Sequence, residues 1–593
     1  MIVRSIRRGL VLCCVALLAC APVAARAANA LRLDGHLVWV MPFQNNSGQP
    51  GLDWIGASFP DIMNQRLSSA GFLTIRREDR RYAMHHLGLP VDFHPTQATT
   101  YHIAQTLDAD YVVFGNYSVT NGQITATARV LTMNGPSMAA PLEEQGKLDQ
   151  LIDIEDELAW KVAMQIEPDL NLDEQTFLAA GRGLRLDAFE NFIRGLIETD
   201  PQERIGHLSK AVALSPNYAQ AWFALGKAYF LNQQYEKAEA AFSRIPKGSR
   251  QWLEANFYEG LSHLYTGNYA RAQAEFAAIA AVLPMPEVLN NEGIAINRRG
   301  QNGTAFFERV VRLDPQNADY WFNLAVSQRR TKSYDDALKA VDRCLAIRPH
   351  DEEAQQLQQN LVMLKSAPAA VQTVSAASAT KASNTAAPVA TADNSAAGAD
   401  DSGDATDASD SSDADDSPAT VAQDATTAGG ASSQDYEPLE RIARSYDESS
   451  FRQAAFEMEQ INALKLRALP AAEQARLLCR QGTGYVNDGL LLEAERQFQL
   501  ALGADPSSAE AHAGLAQVHE YAGNATVARQ EAGKSLAEKP NAAAYLVLAR
   551  IALAERAYPE ARKNVELALQ LEPRNSAAQG VLQAIDAQQS QHP

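Results

Sequence analysis

The stretch A-Q-A-W-F-A-L-G-K-A-Y-F-L-N-Q-Q-Y-E-K-A-E-A-A-F, residues 219–242, sets Trp222, Leu225, Gly226, Tyr229, Ala238 and Phe242 at offsets that return along the chain. Gly260, Ala272 and Phe276 stand 34 residues after Gly226, Ala238 and Phe242, and Pro284 follows them. A third unit begins near Pro286 with Gly293, Phe307 and Pro315, two residues short, and the shortening is expected in the turn between its helices. A fourth begins at Ala318 with Trp321, Leu324, Ala325, Ala337 and Pro349. The pattern describes antiparallel helix pairs. Small residues let two backbones approach, large apolar ones fill the gap, and proline stops the second helix. One such pair cannot bury its apolar face, so the pairs must stack and be capped at the ends.

This spacing resembles the tetratricopeptide repeat, W-x2-L-G-x2-Y…A-x3-F. Residues 186–216, with Phe189, Phe192 and Gly195, read as an atypical first repeat, and 351–364 as a polar cap. The period comes back later. Gly482, Tyr485, Ala494, Phe498 and Pro506 mark a repeat from Ala475, Leu515, Ala516, Ala528 and Pro540 one from Ala509, and Tyr545, Leu548, Ala549, Ala561 and Pro573 one from Ala542. Residues 436–469 read as a degenerate opening pair and 577–588 as a cap. The fold class is thus multidomain, an α/β amino-terminal domain followed by two all-α solenoid arrays. The expected boundaries are 1–30 for a signal peptide, 31–170 for the α/β domain, 171–365 and 435–593 for the arrays, and 366–434 for a linker.

That linker is made mostly of Ala, Ser, Thr, Asp, Gly and Val, without an aromatic residue, and is expected to be disordered. Its ten Asp against one Lys carry −9 of the net charge of −19 on 593 residues. No basic stripe remains to neutralise phosphates, so nucleic acid is not an expected partner. Arg4, Arg7 and Arg8 followed by an apolar run from Leu10 to Ala21 read as an export signal, too short to span a bilayer. Two endings fit. Leu17-Leu18-Ala19-Cys20 resembles the bacterial lipobox and would lipidate Cys20, giving membrane association; Ala25-Arg26-Ala27 offers an ordinary cut before Ala28. Either places the mature chain outside the cytoplasm, periplasmic or at the outer membrane. Outside the signal only Cys344 and Cys479 remain, one in each array, which excludes a disulfide framework and suits helix packing.

Residues 31–170 alternate strand and helix signals: strands over 37–41 and 72–76, helices over 54–69, 101–107 and 148–166, and β-rich runs over 111–119 and 123–131 around Asn121-Gly122, a type I′ hairpin signal. V-W-V-M-P-F-Q-N-N-S-G from Val38, D-W-I-G-A-S-F-P-D-I-M-N-Q-R-L from Asp53 and I-A-Q-T-L-D-A-D-Y-V-V-F-G-N-Y from Ile103 resemble the domain shared by the TolB amino terminus, CsgG and FlgO. The resemblance implies an α/β module that joins envelope complexes. Beyond the module the chain departs from those proteins. The loop Asn45-Asn46-Ser47-Gly48 lies between strand and helix as in a phosphate site, but no Lys follows Gly51 or Gly56 and no G-x-G-x-x-G is present. A surface for a protein partner is the better reading of it.

No catalytic signature stands out. His85, His86, His94 and His102, with Asp92, form the histidine cluster, but adjacent His85 and His86 on a helix point about 100° apart, and surface histidines fit better than a metal site. Pairs such as Glu143-Glu144 are expected by chance in an acidic chain. No cofactor or metal is called for. A hydrolase or ligand-binding activity in the α/β module is the weakest of three functional readings.

What remains is the groove. In tetratricopeptide arrays the first helix of each pair lines the concave face through positions two, five, nine and twelve. The residues at these positions include Phe223, Lys227 and Phe230; Glu254, Phe257, Leu261 and Leu264; Asn290, Ile294 and Asn297; and Asp319, Phe322, Val326 and Arg329. An exposed aromatic ladder suits an extended peptide or a partner helix; rings packed between neighbouring helices are the other reading. The second groove offers Arg476, Cys479, Glu510, Gln517, Leu546 and Arg550. The leading expectation is a non-enzymatic scaffold of the bacterial envelope that binds proteins through these grooves and the α/β domain. A lipid-anchored part of a secretion or flagellar apparatus is the alternative.

Overall fold

Strand alternation divides the amino-terminal core between two faces of one sheet, since successive side chains point to opposite sides. In β1 (Leu37–Val40) Val38 and Val40 face a core shared with Ile55, Phe59, Ile62 and Leu158, whereas Trp39 faces Ile75, Ile103 and Val112. The computed structural model describes residues 36–75, 77, 79–80, 84, 87–88, 97–247, 249, 251–366, 436–445 and 464–591. The expected signal peptide with Cys20, residues 367–434 of the expected linker, and Asp92, His85, His86 and His94 lie outside the described residues. The chain divides into two compact units, Met1–Val288 with Arg444–Pro593, and Leu289–Ala443.

In the first unit β1 pairs in parallel with β3 (Leu73–Thr74) and β4 (Tyr111–Thr120). β2 (Gln44–Asn45) also joins β4, and β4 folds back antiparallel onto β5 (Gln123–Thr132). Asn121 and Gly122 both have positive φ, 51° and 76°, which is what a two-residue type I′ turn requires. β5 continues to β6 (Ser137–Met138) and β7 (Leu142–Lys147). β7 has Leu142 as its one large apolar residue and carries Glu143 and Glu144; Lys161 holds it by pairing with Glu144 and donating to the Glu143 carbonyl at 2.8 Å. Helices α1 (Trp54–Ala70) and α3 (Leu151–Ile166) cover one face, and α2 (Gln97–Thr106), which carries His102, covers the other.

The loop after β1 spends its polar groups inside the domain. Asn45 donates to Asp53 (2.7 Å) and accepts from the Ser47 N–H (2.9 Å), and the Ser47 hydroxyl accepts from Val119 N–H (2.9 Å). Phe43 N–H bonds the Gly56 carbonyl at 2.9 Å, and a methyl group at Gly56 would overlap the Phe43 carbonyl oxygen, so this approach needs glycine.

Helix pairs follow. α4 (Glu174–Ala179) precedes α5 (Leu186–Ile197) and α6 (Pro201–Leu214), where the Asp200 carboxylate caps the N–H groups of Gln202 and Glu203 ahead of a proline at the first turn. α7 (Ala219–Leu231) and α8 (Tyr235–Phe242), then α9 (Trp252–Tyr265) and α10 (Tyr269–Ala280), are the 34-residue repeats. A Cβ on Gly226 would stand 2.6 Å from the Phe242 ring, which explains why glycine and phenylalanine recur together. The Trp222 indole donates to the Pro216 carbonyl at 2.8 Å and ties the helix start to the preceding proline.

The second array is α16 (Ala471–Asn487), α17 (Leu491–Ala504), α18 (Ala509–Tyr521), α19 (Ala525–Glu538), α20 (Ala542–Ala554), α21 (Tyr558–Leu571) and a terminal α22 (Ser576–Gln591). It packs on the α/β domain rather than standing apart from it. Ser69 on α1 donates to Glu493 (2.8 Å), Leu492 enters the sheet core, and Asp173 N–H bonds Glu495 (2.9 Å). Arg182 donates to the Ala522 carbonyl (2.6 Å) and Asn524 to Asp173 (3.1 Å).

The second unit contains α11 (Pro286–Arg298, from Leu289), α12 (Thr304–Leu313), α13 (Ala318–Arg330), α14 (Tyr334–Ile347) and α15 (Glu352–Ser366). The shortened repeat loses its residues from the first turn of α12, not from the connection. Phe307 is the fourth residue of α12, whereas Phe242 is the eighth of α8. The Asn297 side chain accepts the Gly303 N–H at 2.9 Å and draws the connection onto α11. The expected opening pair of the second array is also corrected: residues 436–445 are neither helix nor strand, 446–463 lie outside the described residues, and 464–467 are helical.

Candidate functional site

Residues 436–443 (Tyr-Glu-Pro-Leu-Glu-Arg-Ile-Ala) lie extended against the first helices of the second unit. Pro438 keeps this stretch out of a helix, since it lacks an N–H and disfavours the α region for the residue before it. Its exposure alternates over residues 436–440, with Leu439 66 % exposed and Glu440 5 %, as expected of a strand laid on a surface, and residues 441–443 are all half-buried.

Two asparagines read its main chain. The sixth residue of α13, Asn323, donates to the Arg441 carbonyl (2.8 Å) and accepts the Arg441 N–H (2.7 Å). The sixth residue of α11, Asn291, does the same to Ala443, at 2.9 and 3.0 Å. Each primary amide thus replaces a strand neighbour, and residue 442 is skipped because an extended chain turns alternate residues to one side. Asn290 adds a bond to the Arg441 carbonyl (3.2 Å) and is itself held by Asn323 (2.8 Å). Arg329 donates to the Tyr436 carbonyl at 2.6 Å and to Asn360 at 2.9 Å.

Two side chains set direction. Glu440 points between Arg298 (3.5 Å) and Arg330 (3.3 Å), the last residues of α11 and α13, and accepts from Asn297 (3.1 Å). Arg441 is gripped from the other sense by Asp319 (2.8 Å), Asp351 (2.7 Å) and Glu353 (2.8 Å), and its guanidinium lies 3.9 Å from the Phe322 ring centroid. Burial alone would lower the Arg441 pKa, but hydrogen bonds to Asp351, Glu353 and Asp319 outweigh it and hold the group above its ordinary value. Burial likewise pushes the Asp351 carboxyl up, and Arg441 with the Ala354 N–H pulls it below its ordinary value. Burial lowers Arg329.

The aromatic ladder expected at position five is not exposed. Phe322 is 1 % exposed and lies beneath Arg441. Phe257 and Leu261 are buried, Phe257 edge-on to Phe276 at 5.9 Å. In the first unit Phe223 sits 6.0 Å from Phe242, and Lys227 reaches over it (5.5 Å) to pair with Glu254 (3.3 Å). Phe230 packs between Tyr235 and Tyr258. In the second array Arg550 stacks over Tyr521 (5.4 Å) and pairs with Glu520, Leu546 is buried, and Cys479 is free and buried, its thiol pushed up to about 12 by burial. Arg476 pairs only distantly with Glu473, at 3.9 Å.

The sequence reading placed Asn290, Asn297, Asp319, Phe322 and Arg329 on the groove face but missed Asn291, Asn323, Arg298, Arg330, Asp351, Glu353 and the segment itself. A signal was present: Asn291 and Asn323, and Arg298 and Arg330, recur 32 residues apart, the length of the shortened repeat.

Known proteins match in the repeats. Tetratricopeptide-repeat profiles cover residues 196–255 and 479–543, and the Fis1 C-terminal tetratricopeptide repeat covers 318–362. The chain carries tetratricopeptide repeats, a protein-binding architecture. Anaphase-promoting complex subunit 3 of Schizosaccharomyces pombe is 23% identical over 158 residues, 26% of this chain and 24% of that protein. The chain spans about a quarter of the length of the curated relatives it matches. The crystal structure of YrrB, a TPR protein with an unusual peptide-binding site, is 16% identical, covering 34% of this chain and 98% of that one with a TM-score of 0.26. The LpoB C-terminal domain from Salmonella enterica is 13% identical over 19% of this chain and 83% of that one, with a TM-score of 0.17.

Proposed function

We propose that this chain is a non-enzymatic interaction scaffold of the bacterial cell envelope that holds extended segments of partner proteins in its repeat grooves. The observation that carries the reading is the pairing of Asn291 and Asn323 with the main chain of residues 443 and 441. Side-chain amides that bracket a peptide unit on both sides recognise extended chain as such, which is the physics of strand addition. The export reading rests on the amino-terminal charge and apolar pattern, and the envelope reading on the resemblance of residues 31–170 to the TolB, CsgG and FlgO module.

Capture from envelope fractions tests it. Replacing Asn291 and Asn323 by Ala should remove partners that the unaltered chain retains, with helicity unchanged; a variant that retains them all sinks the groove reading. Recovery of the chain from the cytosol alone would overturn export.

A second reading, a lipid-anchored component of an outer-membrane apparatus, is favoured by Leu17-Leu18-Ala19-Cys20. The mass of the mature amino terminus decides it. A diacylated Cys20 supports the anchor, and a chain starting at Ala28 removes it.

A further inference from the structure

We propose that the groove of α11, α13 and α15 selects extended segments in which a glutamate is followed at once by an arginine, and that residues 436–443 are its resident ligand, displaced by a partner protein presenting the same dipeptide. This rests on the peptide-receptor reading above and goes further by naming the ligand chemistry and the competitor.

Selectivity follows from the arrangement of charge. Arg298 and Arg330 end two neighbouring first helices and converge on Glu440, while Asp319, Asp351 and Glu353 stand at the starts of α13 and α15 and converge on Arg441. The two pockets are of opposite sign and serve consecutive residues. A peptide with the order reversed would set arginine against Arg298 and Arg330, and glutamate against three carboxylates. Like-charge placement of this kind rejects the wrong ligand more strongly than matched charge rewards the right one. The Asn291 and Asn323 brackets add binding that any extended sequence satisfies, whereas the charged pockets supply both the choice and the part of the affinity that depends on sequence.

Exchange follows from how the ligand is fastened. Leu439 is 66 % exposed, and Glu437 is exposed as well. The segment is fastened by polar contacts at a surface, not by apolar side chains sunk in a core. It is joined to α15 through the 69 residues between Ser366 and Tyr436, so its binding is intramolecular and an outside ligand must compete with a high effective concentration. A partner therefore prevails by being multivalent, abundant, or extended beyond eight residues.

The test uses the full chain and a fluorescein-labelled synthetic peptide with the sequence of residues 434–445, read by anisotropy. The unaltered chain should bind it weakly. A chain carrying Glu440→Ala and Arg441→Ala, which releases its own segment and leaves the groove intact, should bind at least tenfold more tightly. Adding Asn323→Ala to that chain should abolish the gain, and a peptide with Glu and Arg exchanged should not bind. Circular dichroism confirms that each variant is folded.

Equal affinity for both peptide orders overturns the selectivity while leaving a general peptide receptor standing. A folded release variant that binds neither peptide overturns this inference and the receptor reading together. Light scattering of the unaltered chain should show a monomer; a dimer that the release variant loses would overturn the resident-ligand assignment, the occupant then coming from a second copy.

Discussion

The chain touches itself in two ways. In the second unit an extended segment lies in a groove, held by amide brackets and two charged pockets. In the first unit the second array lies against α1 and α4 through Leu492, Glu493, Glu495 and His519. The first contact reads main chain and consecutive charges. The second fits one fixed surface to another and buries titratable groups in doing so. A contact made by main-chain brackets can accept another chain in the same place, whereas one made by a shaped helix face cannot. The two should also respond to pH with opposite sign at their extremes.

The largest effect is expected from Arg441→Ala. It removes one partner from a partly buried cluster with Asp319, Asp351 and Glu353, a loss of about 2–5 kcal/mol in comparable interfaces. Hydrogen exchange should show residues 436–443 unprotected while α16 to α22 keep their protection. Protection that persists in the segment would mean the charged pockets do not hold it.

Gly482→Ala strikes the other contact. A Cβ there meets the Phe498 ring at 2.8 Å, and Phe498 lies on α17, which carries the docking residues. Overpacking of this kind costs about 1–3 kcal/mol. Thermal unfolding of the first unit should shift downward, with segment protection unchanged.

The Glu495 carboxyl is pushed from its ordinary 4.5 to about 8, by burial first and by Asp173 charge, against the pull of the Asp173 N–H and Thr176. The docked state therefore holds a proton that the exposed state gives up. Its contribution is full below the ordinary value and is lost as pH rises towards about 8. His519 works the other way: burial lowers its pKa from 6.5, so its contribution is lost on acidification. Of these two, only the glutamate acts between pH 6.5 and about 8, and Glu259 on α9, pushed up to about 7 by burial and by the Glu275 charge, adds a loss of the same sign. Melting temperature should fall across that window in the unaltered chain and fall less steeply in Glu495→Gln; an equal fall in both would place the titration elsewhere.

The smallest effect concerns the groove. Asp351 has a folded pKa below its ordinary value, so its contribution is present at neutral pH and is lost as pH falls through that depressed value. Segment protection should be level through neutrality and drop only below the usual carboxylate range, in contrast to the alkaline loss at the docking face. A drop near neutrality would assign control of the groove to another group.

The repeats were legible because glycine, alanine and phenylalanine meet across helix pairs at fixed offsets, as Gly226 with Phe242 and Gly482 with Phe498. The β4–β5 turn was legible because Asn121 and Gly122 tolerate positive φ. β7 was not, since Leu-Glu-Glu-Gln-Gly-Lys lacks apolar alternation and is held by pairing with β5 and by Lys161. The groove segment was missed for a related reason. Its fastening runs through main-chain groups, which every residue possesses, and eight residues give no period to detect. Docking of the second array depends on contacts between residues more than 300 positions apart, such as Asp173 with Glu495, and no local pattern announces it.

The two asparagine brackets fall on residues 441 and 443, while the helices that carry them are one repeat apart. An extended chain advances about 3.3 Å per residue, so neighbouring repeats sample it at intervals of about 6.6 Å. The groove thus counts in twos. Inserting one residue between the two bracketed positions would put the ligand out of phase, turning a side chain towards the helix where a peptide unit should be. Inserting two would bulge the chain but restore the count. Parity, as much as composition, becomes a property by which this array can tell one extended segment from another.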